Sequence, residues 1–227
     1  MSKIDVLDHG FVRLVDSMGD DLSVVRAARV SYDAAWRTGE DTGSDKRLIN
    51  YLWRNAHTSP FEAVTFTFEI KAPIFVFRQW HRHRTWSFNE VSARYTELPE
   101  EFYIPDADKI GVQATDNKQA RVMPDNGSTA AAIANRSIIE HACRSSFNAY
   151  HALLACDVPR ELARSVLPVA TYSHMFATVD LLNLLKFLTL RSHSHAQYEI
   201  RVYADAMLTL ISGIVPACVE AWEAGRK

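Results

Sequence analysis

From Val64 to Lys71 the chain alternates without a break. Val64, Phe66, Phe68 and Ile70 are apolar, and Thr65, Thr67, Glu69 and Lys71 between them are polar. A period of two sends successive side chains to opposite faces, so residues 61–71 read as a strand with one buried face and one wet face. Such a strand needs neighbours in a sheet and an apolar layer to lie against. Pro73 then changes the conformation. Its fixed φ suits the first turn of a helix, which predicts a short helix over 73–81 (PIFVFRQWH). The strand therefore feeds directly into a helix whose far end is crowded with cations.

Most of the remaining pattern is helical. Residues 21–31 place Val24, Ala27, Ala28 and Ser31 on one face, with Asp21 or Ser23 as the cap. A polar loop over 33–43 leads to a helix over 45–55 that Ser44 caps and that turns Leu48, Tyr51 and Leu52 inward. Residues 106–127 are polar and patternless, and read as a mobile excursion. Ser128 opens a long helix to about 156, with Ile133, Ile138, Phe147, Tyr150, Leu153 and Leu154 among its apolar positions. Asp157 caps and Pro159 starts a helix over 159–166. A second strand covers 169–179, and Asp180 caps a helix ending at Arg191. A long helix over 196–214 and a short one from Pro216 complete the chain. Two or three strands among about six helices predict an α+β fold: one domain over 1–227, with a small antiparallel or mixed sheet packed by helices.

The 227 residues are 48% hydrophobic and 23% charged, which supports one core and excludes disorder as the main state. The three cysteines, Cys143, Cys156 and Cys218, form no CxxC pair, and their apolar contexts mark them as buried small hydrophobes. The first residues lack the apolar core of a signal peptide, and the uncharged stretches Ser165–Val179 and Ala206–Val219 are too short to span a bilayer. A reduced, cytoplasmic protein with no membrane contact is the expectation.

Charge is unevenly placed. Within 71–95, Lys71, Arg78, Arg82, Arg84 and Arg94 face Glu90 alone, so the rest of the chain carries −6 of a net −2. A cationic island on an acidic chain predicts a site for an anionic ligand. Arg82-His83-Arg84 sets two guanidinium forks around an imidazole, suited to phosphate, carboxylate or the O–C–N edge of a pyrimidine or flavin ring. Gln79 and Arg82 share a helix face by spacing, and Ser92 and Arg94 point the same way if extended. Trp80, Trp86, Phe88 and Tyr95 supply flat surfaces for stacking. A metal site at the HxH pairs His81/His83 and His193/His195 is disfavoured, because Arg82 and Arg84 oppose a divalent cation. A single-strand nucleic-acid binder would spread basic charge over the domain, which the −6 remainder contradicts.

These residues resemble the signature of flavin-dependent thymidylate synthases: Arg82-His83-Arg84, seven residues, then Ser92, with Ser87, Asn89, Glu90, Arg94 and Tyr95 also in place. His57-Thr58-Ser59-Pro60-Phe61-Glu62 and Ala72-Pro73-Ile74-Phe75-Val76 resemble the approach to that signature. Ala163-Arg164-Ser165-Val166-Leu167-Pro168 and Leu190-Arg191 with His195-Ala196-Gln197 and Glu199-Ile200-Arg201 resemble two further arginine elements. The resemblance implies methylation of dUMP to dTMP, with methylenetetrahydrofolate as carbon donor and NADPH-reduced FAD as reductant. It also implies a homotetramer with active sites shared between subunits.

By the same resemblance, Arg82, His83, Arg84 and Glu90 contact FAD, with His57 and Ser59 from another chain and His195 beside the flavin. Gln79 and Arg82 contact dUMP from one subunit, and Glu90, Val91, Ser92 and Arg94 hold its phosphate from a neighbour, with Arg164 beside it. Arg191 stands against the uracil ring. A guanidinium there stabilises negative charge over N3 and the carbonyls, which makes C5 nucleophilic without a cysteine thiolate. One departure is visible: the family's Asn-x-Arg FAD contact is replaced by Asp180-Leu181-Leu182, and Lys186 is the nearest cation one turn on.

Overall fold

A computed structural model describes residues 2–123 and 129–226. The chain opens with an antiparallel hairpin, β1 (Lys3–Val6) and β2 (Gly10–Met18), that the sequence pattern did not reveal. Gly10 is needed where β2 begins, since a Cβ would collide with the Tyr203 hydroxyl and lie 2.7 Å from the Val6 carbonyl oxygen. Helix α1 (Asp21–Arg29) is capped by Asp20, one residue before the expected position. The Asp20 carboxylate accepts from the Ser23 amide while the Asp20 amide donates to the Ser23 hydroxyl.

Helix α2 (Thr42–Arg54) begins earlier than expected, because Asp41 caps it through the Ser44 amide. Ile49 and Leu52 turn inward, whereas Tyr51, expected inward, is exposed. After a 3₁₀ turn over Ser59–Ala63 comes β3 (Thr65–Pro73), in which Phe66, Phe68 and Ile70 are fully buried, as their alternation requires. Pro73 ends the strand and sits as the N-cap of α3 (Ile74–Trp80) rather than inside its first turn. A short strand β4 (Ser87–Glu90) follows.

In the segment expected to be patternless lie a turn of helix, α4 (Ala107–Ile110), and a ribbon of β5 (Val112–Gln113) and β6 (Arg121–Val122). The last part of that segment, 124–127, and the expected cap Ser128 lie outside the described residues. Thr129 caps the long helix α5 (Ala130–Ala155). Asp157 is not a cap: it adopts the left-handed region at φ 59° just after α5, and α6 (Arg160–Ala163) starts from Pro159 and runs into a 3₁₀ turn over Arg164–Val166. Strand β7 (Tyr172–Asp180) leads into α7 (Leu181–Arg191), where the Asp180 carboxylate accepts from the Asn183 amide at 2.9 Å as the expected cap. Helices α8 (Tyr198–Ile211) and α9 (Pro216–Gly225) complete the chain.

The main sheet is antiparallel throughout, in the order β1-β2-β3-β7-β4. Its inner face packs on α7 and α8, joining Phe66, Phe68 and Ile70 to Leu184, Leu188, Ile200 and Met207. Each such side chain contributes roughly 1.5–3 kcal/mol by leaving water. A smaller core of Phe102, Cys143, Phe147, Tyr150 and Ala163 seats α5.

Two features of this frame place the site. Strands β3 and β7 are antiparallel neighbours, with Pro73 opposite Tyr172 and Thr65 opposite Asp180, so α3 and α7 leave the strand pair at opposite ends and their C-terminal ends converge. The free amides at the start of α3 are also satisfied from outside: Ile74 donates to the Thr171 carbonyl at 2.9 Å and Phe75 to that of Val169 at 3.0 Å. Those two bonds hold the segment following Arg164 against α3. Among the described residues no helix is long and apolar enough to cross a membrane.

Candidate active site

The C-terminal ends of α3 and α7 meet at Arg191. Its Nε donates to His83 Nε2 at 3.0 Å, Nη2 to the Gln79 main-chain carbonyl at 3.3 Å, and Nη1 to Gln79 Oε1 at 3.5 Å. A cation in the last turn of α7 is favoured by that helix's dipole. His83 is half-buried, with its ring edge-on to Phe187 at 4.9 Å. Burial, and secondarily the Arg191 charge, lower its pKa to about 4, so it is a neutral acceptor at neutral pH. Burial also draws the Arg191 pKa down, but a guanidinium stays charged near neutrality.

A second group lines a cavity of about 670 Å³ between α3 and the Arg164 turn. Arg78, His81, Glu90, Val91, Ser92 and Arg164 face it. Glu90 is anchored by the Ser173 hydroxyl at 2.5 Å. The Ser92 hydroxyl accepts from the Arg94 amide at 3.3 Å, and the Arg94 side chain sits 3.7 Å from Glu161. Arg164 donates from Nε to the Glu161 carbonyl at 3.3 Å. Arg78, Arg82 and Arg84 form no ion pair among the described residues, so their charges are open to an anion.

The expected site residues thus fall into two groups on one chain. Arg191 touches both Gln79 and His83, with His195 in the loop that follows Arg191. Glu90, Val91, Ser92 and Arg164 share the cavity, with Arg94 at its edge. Arg82 and Arg84 are exposed in the turn after α3. Arg82 lies beyond the helix end rather than on a shared helical face with Gln79, and its amide donates to the Gln79 carbonyl at 3.3 Å. His57 and Ser59 lie apart, in the turn after α2, with the His57 ring edge-on to Tyr51 at 5.8 Å.

Several expectations change. Ser92 and Arg94 lie in a turn, where Tyr95 and Thr96 both donate to the Ser92 carbonyl, so the extended segment is 87–90 instead. Of the four aromatic side chains expected as stacking surfaces, Trp80 and Trp86 are core and Phe88 stacks on Trp86, leaving Tyr95 open at 80% exposure. Leu182, where the resemblance implies an arginine, is buried, and Lys186 is exposed. Cys143 and Cys218 are buried with thiol pKa values pushed up by desolvation, but Cys156 is exposed at the end of α5, contrary to expectation. None of the three faces the cavity. Among the described residues, no three His, Cys, Asp or Glu side chains gather as a metal site.

Sequence reasoning counted Arg78 in the cationic island and Gln197 and Glu199 in the third arginine element without giving any of them an individual role, and it did not single out Ser173. Gln197 and Glu199 join the Arg191 group from the start of α8, and Arg78 and Ser173 line the cavity. The signal for Gln197 and Glu199 was their place in that element, six and eight residues beyond Arg191 across a short loop.

Open guanidinium groups beside a cavity of this size form a site suited to an anionic ligand. The chain matches the family described as "Thymidylate synthase complementing protein" over residues 13–217. It is 46% identical over 220 residues to the flavin-dependent thymidylate synthase of Thermotoga neapolitana, covering 97% of this chain and 94% of the relative. Against the enzyme of that name from Thermus thermophilus the identity is 48% over 222 residues, covering 97% and 78%. The crystal structure of the UMP/dUMP methylase PolB from Streptomyces cacaoi, bound with 5-Br dUMP, matches with a TM-score of 0.87 at 40% identity over 98% of both chains. The chain belongs to the flavin-dependent thymidylate synthase family.

Proposed function

We propose that this protein methylates dUMP to dTMP, with methylenetetrahydrofolate as carbon donor and NADPH as the source of electrons through bound FAD. The observation that carries the reading is the convergence of Arg191 with His83 and Gln79, which lie 108 and 112 residues away in sequence. A charged fork held by a neutral imidazole and an amide suits the O–C–N edge of a uracil ring. There it stabilises charge on N3 and the carbonyls, so that C5 can take the carbon and release its proton. Arg164, Ser92 and Arg94 hold the nucleotide phosphate. The open donors of Arg82 and Arg84, with His83 and His195, suit an anionic, ring-bearing cofactor such as FAD, and His57 and Ser59 add contacts from another chain. When bound, the flavin supplies the two electrons that reduce the transferred carbon to a methyl group.

Sharing between subunits is supported by the separation of the two groups on one chain, and by exposed apolar side chains such as Ile133 and Ile138 on α5. A homotetramer with composite sites is the proposed active form.

The test is tritium release from C5-labelled dUMP with FAD-loaded protein, NADPH and methylenetetrahydrofolate, run beside labelled UMP. Release from dUMP with matching dTMP formation is expected. No release from dUMP, or release from UMP alone, overturns the reading. Cys143→Ser, Cys156→Ser and Cys218→Ser are each expected to keep turnover, because no thiol faces the site. A folded variant that binds FAD but releases no tritium would place a thiol in the chemistry.

A further inference from the structure

We propose that Glu199 is a positioning residue that sets the polarity of a hydrogen-bond relay ending on Arg191. The inference rests on the assignment of Arg191 and Gln79 to the nucleotide ring. Glu199 is 1% exposed and lies in the first turn of α8, where the helix dipole favours a carboxylate. One oxygen, Oε1, accepts from Arg121 Nη2 at 2.8 Å and from the Tyr103 hydroxyl at 3.2 Å. The other, Oε2, accepts from Gln197 Nε2 at 2.8 Å.

Everything downstream follows from donor and acceptor inventory. A carboxylate paired with a guanidinium only accepts, so Gln197 must turn its NH₂ toward Glu199. Its Oε1 is then left for Gln79 Nε2, at 2.6 Å. That leaves Gln79 Oε1 for Arg191 Nη1. Arg191 has five donors and no acceptor, so a reversed Gln79 would set NH₂ against N–H. The amide orientation beside the guanidinium is therefore dictated from a buried carboxylate two side chains away. Arg121, the partner of that carboxylate, comes from β6, and its guanidinium also lies over the Tyr198 ring at 5.9 Å. The ribbon segment is thereby tied to the same relay. Gln197 is the exposed link, where water competes, so the relay tunes Arg191 rather than creating the site.

The isosteric variant Glu199→Gln reverses the polarity. Its carbonyl must stay on Arg121 and Tyr103, so its NH₂ faces Gln197, which turns over and turns Gln79 over in its place. The double variant Gln197→Glu/Glu199→Gln restores the direction at unchanged net charge: the new carboxylate at 197 accepts from the new amide at 199 and from Gln79. Glu199→Gln is expected to lower kcat about tenfold at equal flavin content, and the double variant to return to within about threefold of wild type. A double variant no better than the single one overturns the relay.

If Glu199→Gln does not fold, Gln197→Leu decides, because it cuts the relay and leaves the Glu199–Arg121 pair in place. A several-fold loss of kcat is expected, and wild-type kcat overturns the proposal. The Arg191 Nη1–H resonance, assigned by Arg191→Lys, reads the relay without turnover. It is expected to exchange faster in Glu199→Gln and to recover in the double variant. An inactive wild type that shows this pattern would sink the reaction assignment and keep the relay; an active wild type without it would do the reverse.

Discussion

Alanine at position 191 is expected to lower turnover by roughly 10²–10³-fold while FAD stays bound, the scale of losing a preorganised donor to developing charge. Arg191 is oriented by His83 and Gln79, and neither partner competes with a ligand for positive charge. His83 is neutral because burial disfavours its imidazolium, so the Arg191–His83 contact is a guanidinium donating to a lone pair, with no repulsion between two cations. The remaining guanidinium face is free to stabilise an anionic ring. Arg191→Lys keeps a charge but loses the planar fork, and recovers only part of the rate. Tritium release and the flavin spectrum, measured together, check this. An alanine variant with wild-type release would show that another group carries the charge. Unchanged flavin content separates the result from loss of the cofactor.

What the sequence disclosed about this site depended on how locally each feature is determined. Arg82-His83-Arg84 and Gln79 sit within six residues of one another, so their chemistry was visible as a cluster. The relay was not. Gln197 and Glu199 are unremarkable in composition, and their meaning comes from a buried pairing with Arg121, which is 78 residues distant. The aromatic side chains misled for a physical reason. Val76, Phe77 and Trp80 form the apolar face of α3, a helical spacing that already marked Trp80 as core despite its cationic neighbours. The division into two groups of site residues also needed coordinates, because spacing along the chain does not say which distant element each face of α3 meets.

The same contrast holds for the fold. Strand β3 was legible because one face is buried along its whole length. Strand β2 was not, because its outer half is exposed and a register shift between Leu14 and Asp16 breaks the alternation. The edge strand β4 has four largely exposed residues, so its conformation is imposed by pairing with β7 rather than by its own pattern. Helix caps were displaced by one to three residues where two capping residues stood close together, as with Asp20 and Ser23 or Asp41 and Ser44. In both, the acidic residue caps and the serine takes the third helical position.

Phe187→Ala is expected to cost about 3–5 kcal/mol and to lower the melting temperature by roughly 10 °C. Phe187 is fully buried, stacked 4.8 Å from Trp80, tilted 5.2 Å from Trp86 and set against the edge of His83 at 4.9 Å. Both indoles are held by close neighbours, so they cannot collapse to fill the space, and the cavity term is near its maximum. The substitution also reaches the site. Burial is the larger cause of the low His83 pKa, so admitting water beneath that ring should move the pKa back up toward the ordinary 6.5. The sign for stability follows. In the wild type the unfolded chain binds more protons than the folded one between about pH 6.5 and 4, so stability falls as pH drops through that window. In Phe187→Ala that slope flattens even though the protein is weaker at every pH. Denaturant melts across the window, with an NMR titration of His83, check both parts. A loss under about 1 kcal/mol would mean that the aromatic stack does not carry the site, and an unmoved His83 would mean that Phe187 is not what keeps it dry.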